Sequence, residues 1–144
     1  MSRWAKIGCA VDFSESSRAA LVEAADLAKR CGAELLLIHV SETPEAALDM
    51  PTPEAGRAGQ LELERKLEGW RAEAARLSGG EVSSEVAVGP AADEIARLAR
   101  DRGADLVVCG SHGRRGLRRL AVGSVAERLV RVAPCPVLVV RRGS

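Results

Sequence analysis

Short runs of aliphatic and β-branched residues alternate along the chain with longer segments whose apolar residues recur every three or four positions. That rhythm predicts parallel strands joined by helices that cover both faces of one sheet. The spacing predicts a strand at Ile7–Val11, then a helix from about Ser14 to Cys31 that buries Leu21, Ala24, Ala25 and Ala28. Gly32 follows where a left-handed cap is needed. A second strand is predicted at Glu34–Val40, where Leu35, Leu36, Leu37 and Ile38 form the unbroken apolar run of a strand covered on both faces. Ser41–Gly59, with Pro44, Pro51, Pro53, Gly56 and Gly59, reads as one long irregular surface loop placed to close over a ligand. A second helix is predicted at about Gln60–Leu77, with Leu63, Leu67, Trp70, Ala74 and Leu77 on one stripe, ended by Gly79-Gly80.

The second half repeats the pattern. Glu81–Val88 is a strand, and Gly89-Pro90 opens a helix to about Arg102 with the proline in its first turn, where its missing N–H costs nothing. Asp105–Gly110 is the fourth strand, Ser111–Val122 a glycine-rich loop and Ser124–Val132 the fourth helix. Pro134-Cys135-Pro136 stops that helix before a last strand at Val137–Arg141. Arg30-Cys31-Gly32-Ala33-Glu34-Leu35 and Arg102-Gly103-Ala104-Asp105-Leu106 share one helix-stop and strand-start grammar, as expected of a doubly wound sheet.

At 144 residues the whole chain, 1–144, reads as one domain with a core of its own. Twenty-one basic side chains against 20 acidic ones leave a net charge of +1, so no broad basic face for nucleic acid is expected. Cys9, Cys31, Cys109 and Cys135 form no C-x-x-C pair, and with only His39 and His112 present no metal-ligand spacing is visible. The cysteines read as small core residues in a reducing compartment. Arg3 and Lys6 lead straight into the first strand without a leader-like segment, and the apolar runs are too short to span a bilayer, so a cytoplasmic location is expected.

In such a sheet, ligands bind beyond the carboxyl ends of the strands where the strand order reverses. Ala10-Val11-Asp12-Phe13-Ser14, His39-Val40 and Cys109 to Val125 fall there. The last segment reads Gly110-Ser111-His112-Gly113, nine residues, then Gly123-Ser124-Val125 at the start of a helix. Glycines let backbone approach a ligand closely, and a helix N-terminus offers unpaired N–H groups and a favourable dipole to an anion. The same residues have a plainer reading: Ser124-Val125-Ala126-Glu127 makes an ordinary capping box, and the glycines make turns. Asp12 or Ser14 equally serves as cap of the first helix, and His39 reads as a satisfied core histidine. His112 lies in the glycine loop but supplies no mechanism alone.

Taken together these pieces resemble the universal stress protein family over nearly the whole chain. The resemblance is carried by Val11-Asp12-Phe13-Ser14-Glu15, Leu37-Ile38-His39-Val40, Ala104-Asp105-Leu106-Val107-Val108-Cys109-Gly110-Ser111-His112-Gly113, Gly123-Ser124-Val125-Ala126-Glu127-Arg128 and the segment Ala133 to Val140. The spacing G-x2-G-x9-G-[ST] is similar to that of the family's ATP-binding branch. The resemblance implies that Asp12 takes the ribose, that Val40 lines the adenine pocket, and that Gly110, Gly113, Gly123, Ser124 and Val125 carry the phosphates. It implies ATP with Mg2+ as the cofactor, with no dedicated protein ligand for the metal. Ala10 stands where some ATP-binding relatives have proline, and it would form the floor of the adenine site. With Trp4, Trp70 and Phe13 the only aromatic residues, Val11 and Val40 would supply aliphatic walls, and Cys109 would lie at the mouth. Arg114, Arg115, Arg118 and Arg119 either neutralise phosphate or dock an acidic partner, or form a solvated surface.

The expected architecture is therefore α/β and Rossmann-like: a doubly wound five-stranded parallel sheet of order 3-2-1-4-5 with helices on both faces. Val137, Leu138, Val139 and Val140 would form an apolar edge strand through which a homodimer assembles, as the resemblance also implies. The function expected is an ATP-binding stress-response regulator that signals to a protein partner of unspecified identity. The alternatives are a dimeric scaffold that binds no nucleotide and a slow ATP hydrolase. An enzyme is not expected, because no lysine follows the glycines in the Walker manner and no paired carboxylates flank the loop.

Overall fold

The computed structural model describes residues 4–41, 52–112 and 122–141. Five strands form one parallel sheet: β1 (Lys6–Ala10), β2 (Glu34–Ser41), β3 (Val82–Val88), β4 (Leu106–Gly110) and β5 (Val137–Val140). Their order is β3-β2-β1-β4-β5, and every neighbouring pair is parallel. Among the described residues four helices connect them: α1 (Glu15–Cys31), α2 (Pro53–Ser78), α3 (Ala91–Arg102) and α4 (Ser124–Val132).

The apolar run in β2 explains the two-sided covering. Leu35 and Leu37 pack with Ile7, Cys9 and Val108 against Leu21, Ala24, Ala25 and Ala28 of α1 and Leu67 and Ala74 of α2. Leu36 and Ile38, pointing the other way, pack with Val107 and Cys109 against Ile95, Leu98 and Ala99 of α3 and Ala126 and Leu129 of α4. Each such leucine contributes about 2 kcal/mol when fully removed from water.

The two similar helix-to-strand junctions are structurally equivalent. Gly32 and Gly103 are left-handed, with φ of 67° and 71°, and the next amide reaches back to Ala28 O or Ala99 O. The following residues, Glu34 and Asp105, then donate to Ala5 O and Lys6 O on opposite edges of β1. One sequence grammar thus seats a strand on each side of the central one.

Three expectations are corrected. First, α2 begins at Pro53 rather than Gln60, so the C-terminal part of the expected loop is helical. Thr52 caps this helix by accepting the Ala55 N–H at 3.0 Å, Pro53 occupies its first turn, and Glu54 complements the dipole. Glu54–Arg57, Glu62–Arg65, Glu68–Arg71 and Glu73–Arg76 pairs run along the helix, each adding a few tenths of a kcal/mol. They offset Gly56 and Gly59, which had suggested a loop. Residues 42–51, the rest of the expected lid, lie outside the described residues. Second, Pro90 is the cap residue before α3 rather than part of its first turn. Third, the capping box at Ser124 does not form: Gly123 is the cap and Ser124 is already helical, so its hydroxyl is not used as a cap.

Candidate functional site

The carboxyl ends of β1 and β4 are adjacent in the sheet, and the chain leaves them in opposite directions. Beyond β1, Asp12 Oδ1 accepts the Ser14 N–H at 3.0 Å and the Ser14 hydroxyl proton as well. Ser14 in turn caps α1, its Oγ accepting the Ser17 N–H at 3.1 Å. The Asp12 N–H donates to Ser17 Oγ at 3.2 Å. Asp12 and Ser14 thus divide the roles the sequence left open: Ser14 caps the helix and Asp12 fixes Ser14.

Beyond β4, the Ser111 N–H donates to Val140 O at 3.0 Å, and the His112 N–H donates to Ser16 Oγ at 3.1 Å. The Gly123 N–H returns to Ser111 O at 2.6 Å. These contacts tie the end of β4 to the first turn of α1 on one side and to the start of α4 on the other. The amides of the first turn of α4 have no acceptor within the helix, and Ser124 among them is exposed. Gly113 and the four arginines Arg114, Arg115, Arg118 and Arg119 lie outside the described residues.

Ala10, Val40, Cys109 and Val125 come together on the α3/α4 face of the sheet. Val11 does not join them. Its side chain is buried in the core on the α1/α2 face, because successive residues of a strand point to opposite sides. Only its backbone can meet a ligand, which corrects the expectation of a Val11 wall. Cys109 likewise shows only 4% of its surface and is not an open thiol at the mouth. Burial pushes that thiol from 9.0 up to about 11.

Two features escaped the sequence reading. A cavity of about 200 Å³ opens between the starts of α3 and α4, lined by Pro90, Asp93, Ser124, Val125 and Arg128. Arg128 closes one wall through an ion pair to Asp93 at 3.0 Å. The Gly89-Pro90 turn was the only signal for it. The other is an aromatic group beside Asp12: Phe13 lies 4.8 Å from the His39 ring and 5.3 Å from that of Trp70. His39 is buried and bonded through Nδ1 to Val11 O at 2.8 Å, the satisfied core histidine expected.

Among the described residues no group of three or more His, Cys, Asp or Glu could hold a metal, and no helix is long and apolar enough to cross a membrane.

The profile of the universal stress protein family matches residues 3–141. Universal stress protein YxiE of Bacillus subtilis is 33% identical over 150 residues, covering 94% of this chain and 98% of that protein. The solved structure of MJ0577 from Methanocaldococcus jannaschii superposes with a TM-score of 0.84 at 31% identity, covering 96% of each chain. An Archaeoglobus fulgidus universal stress protein solved in complex with dAMP shares the fold, with a TM-score of 0.68 at 22% identity over 96% of this chain and 98% of that one.

Proposed function

The chain belongs to the universal stress protein family, and on that premise we propose that it is a cytoplasmic, single-domain ATP-binding regulator rather than an enzyme. The observation that carries this reading is the Gly123 N–H bond to Ser111 O. It holds the first turn of α4, with its amides that lack acceptors within the helix, at the end of β4, which neighbours β1 in the sheet. A triphosphate needs such donors, and a ribose needs such an acceptor. Asp12 would take the ribose, Ala10 and Val40 the adenine, and Gly110, Gly113, Gly123, Ser124 and Val125 the phosphates, largely through backbone groups. Mg2+ would be held by phosphate oxygens and water, since the described residues supply no carboxylate cluster for it. The dAMP complex of the Archaeoglobus fulgidus protein is consistent with an adenine nucleotide on this fold. No lysine follows the glycines in the Walker manner and no paired carboxylates flank the loop in the sequence, so hydrolysis is expected to be slow at most.

The test is thermal unfolding with and without Mg-ATP. At about a hundred times its dissociation constant the nucleotide stabilises the fold by about 2.7 kcal/mol, a rise in Tm of about 9 °C. A substitution at Gly123 would not isolate the ligand, because an added Cβ would lie 3.0 Å from Ser111 O. Ser124→Pro does so. Proline suits the first position of a helix, the extended Gly123 (φ −64°, ψ 157°) suits the residue before a proline, and the change removes one phosphate-facing N–H and one hydroxyl. The variant is expected to melt within about 2 °C of the parent without nucleotide and to lose most of the shift. No shift in the parent protein would overturn the reading in favour of a scaffold.

We also place a homodimer on β5. Among the described residues its outer edge is unpaired in the sheet, Leu138 is 37% exposed, and Val130 of the adjoining α4 is 58% exposed. An open apolar edge of this kind invites pairing with a second copy. Leu138→Arg is expected to convert a dimer at micromolar concentration into a monomer in sedimentation velocity. A parent protein that sediments as a monomer would remove the assignment.

A further inference from the structure

Asp12 is gripped from both sides by one histidine. On its N-terminal side, Val11 O accepts from His39 Nδ1 at 2.8 Å. A carbonyl has no proton to give, so that proton resides on Nδ1 and the ring orientation is fixed. The Val11 N–H donates to Ile38 O at 2.9 Å, which locks the same residue to β2. On the C-terminal side, the Phe13 ring packs at 4.8 Å against that same His39 imidazole.

Phe13 has φ of 66° and is alone among the described non-glycine residues in the left-handed region. A bulky aromatic residue disfavours that conformation, and it persists where the surroundings impose it. The surroundings here are specific. Trp70 of α2 meets the Phe13 ring edge-on at 5.3 Å, the Arg18 guanidinium lies 4.6 Å from the centre of the Trp70 ring, and Lys66 Nζ lies 5.8 Å from that of Phe13. The left-handed turn at Phe13 is what folds Ser14 back so that its N–H and hydroxyl reach Asp12 Oδ1.

We infer that His39, Phe13 and Trp70 are positioning residues that preorganise the Asp12 carboxylate for the two hydroxyls of a ribose, an inference that rests on the nucleotide-binding reading above. None of the three needs to touch the nucleotide. They act by denying the 11–14 segment its relaxed conformations, so that the carboxylate does not have to be ordered when the ligand arrives. The device also connects α2 to the site, since both Trp70 and Lys66 of that helix meet the Phe13 ring.

The experiment is calorimetric titration of the full chain with Mg-ATP and with Mg-2′,3′-dideoxy-ATP, which lacks both ribose hydroxyls. The parent protein is expected to prefer ATP by about tenfold, as a hydrogen bond to a charged group warrants. In His39→Leu, Trp70→Leu and Phe13→Gly the preference is expected to fall to about onefold, with dideoxy-ATP binding unchanged. Phe13→Gly guards against misfolding, because glycine adopts positive φ freely. Trp70→Phe keeps a ring against Phe13 and is expected to restore the preference. A merely structural role would weaken both nucleotides in parallel, and that result overturns the inference, as does a preference left intact in all three variants. A parent protein that binds neither nucleotide overturns the nucleotide reading itself.

Discussion

Replacing Gly110 with alanine is expected to lower the stability of the protein by about 3 kcal/mol, the upper range for forcing a methyl group into a filled space. The added Cβ would stand 2.3 Å from Ser16 Oγ and 2.7 Å from both the carbonyl carbon and the oxygen of Ser16. A serine hydroxyl can rotate away, but Ser16 C and O belong to the first turn of α1 and cannot move without it. That turn is in turn tied down, because Ser14 caps it and Ser16 Oγ accepts the His112 N–H. Gly69→Ala is the control with the opposite sign. A Cβ there meets nothing within 4 Å, so the change is expected to gain about 0.8 kcal/mol from the lower helix propensity of glycine alone. Thermal unfolding without ligand reads both, about 10 °C down for the first and about 3 °C up for the second. A Gly110→Ala protein that melts with the parent would mean that α1 slides freely over β4, and the site would then have no rigid floor.

That expectation also shows what the sequence made legible and what it did not. The strand runs, the helix stripes and the two glycine-ended junctions were local signals of a doubly wound sheet, and the expected order, stated together with the family resemblance, agrees with the observed β3-β2-β1-β4-β5. Gly110 was legible as a special position, but the reason assigned to it was close approach of a phosphate. In the structure the close neighbour is Ser16, 94 positions away in the chain, and no local pattern announces such a contact. Phe13 illustrates the same limit. Its ring could be counted as one of three aromatics, yet its left-handed backbone and its packing on Trp70 depend on α1 and α2 having already docked. The start of α2 was missed for a different reason: Pro51, Pro53, Gly56 and Gly59 are loop formers by composition, while the Thr52 cap and the Glu–Arg pairs that outweigh them act only once a helix exists. Val11 was placed on the wrong side by a single step of strand alternation.

Between about pH 9 and pH 11 the protein is expected to lose about 5 kcal/mol of stability, with little change from pH 7 to pH 8.5. The cause is the pair of buried thiols in the two central strands. Burial raises Cys109 from 9.0 to about 11, and it raises Cys9 further, with the nearby Cys109 thiolate a second and smaller cause. A thiol whose pKa is higher in the folded state favours folding fully while both states are protonated. As pH rises past 9 the unfolded chain gives up its thiol protons first, so it binds fewer protons than the folded chain and stability falls until Cys109 itself ionises. Two pKa steps at Cys109 account for about 2.7 kcal/mol, and Cys9, raised further, contributes about as much over the same window. The chain has no tyrosine, and its only lysines are Lys6, Lys29 and Lys66, so few other groups titrate in this window. Urea unfolding under reducing conditions at a series of pH values reads the effect, and a Cys9→Ala/Cys109→Ala protein should show a much flatter alkaline limb. An equally steep limb in that variant would assign the loss to Cys135, whose thiol burial also raises, or to the lysines instead. The same shift decides whether Cys109 can sense oxidants beside the proposed nucleotide. A pKa of about 11 leaves about a hundredfold less thiolate at neutral pH than an ordinary thiol at 9.0, and the thiolate is the reactive form. Cys109 is therefore expected to label far more slowly than the half-exposed Cys31 when the native protein is treated with iodoacetamide. Preferential labelling of Cys109 would mean that the end of β4 opens in solution, and with it the floor of the site.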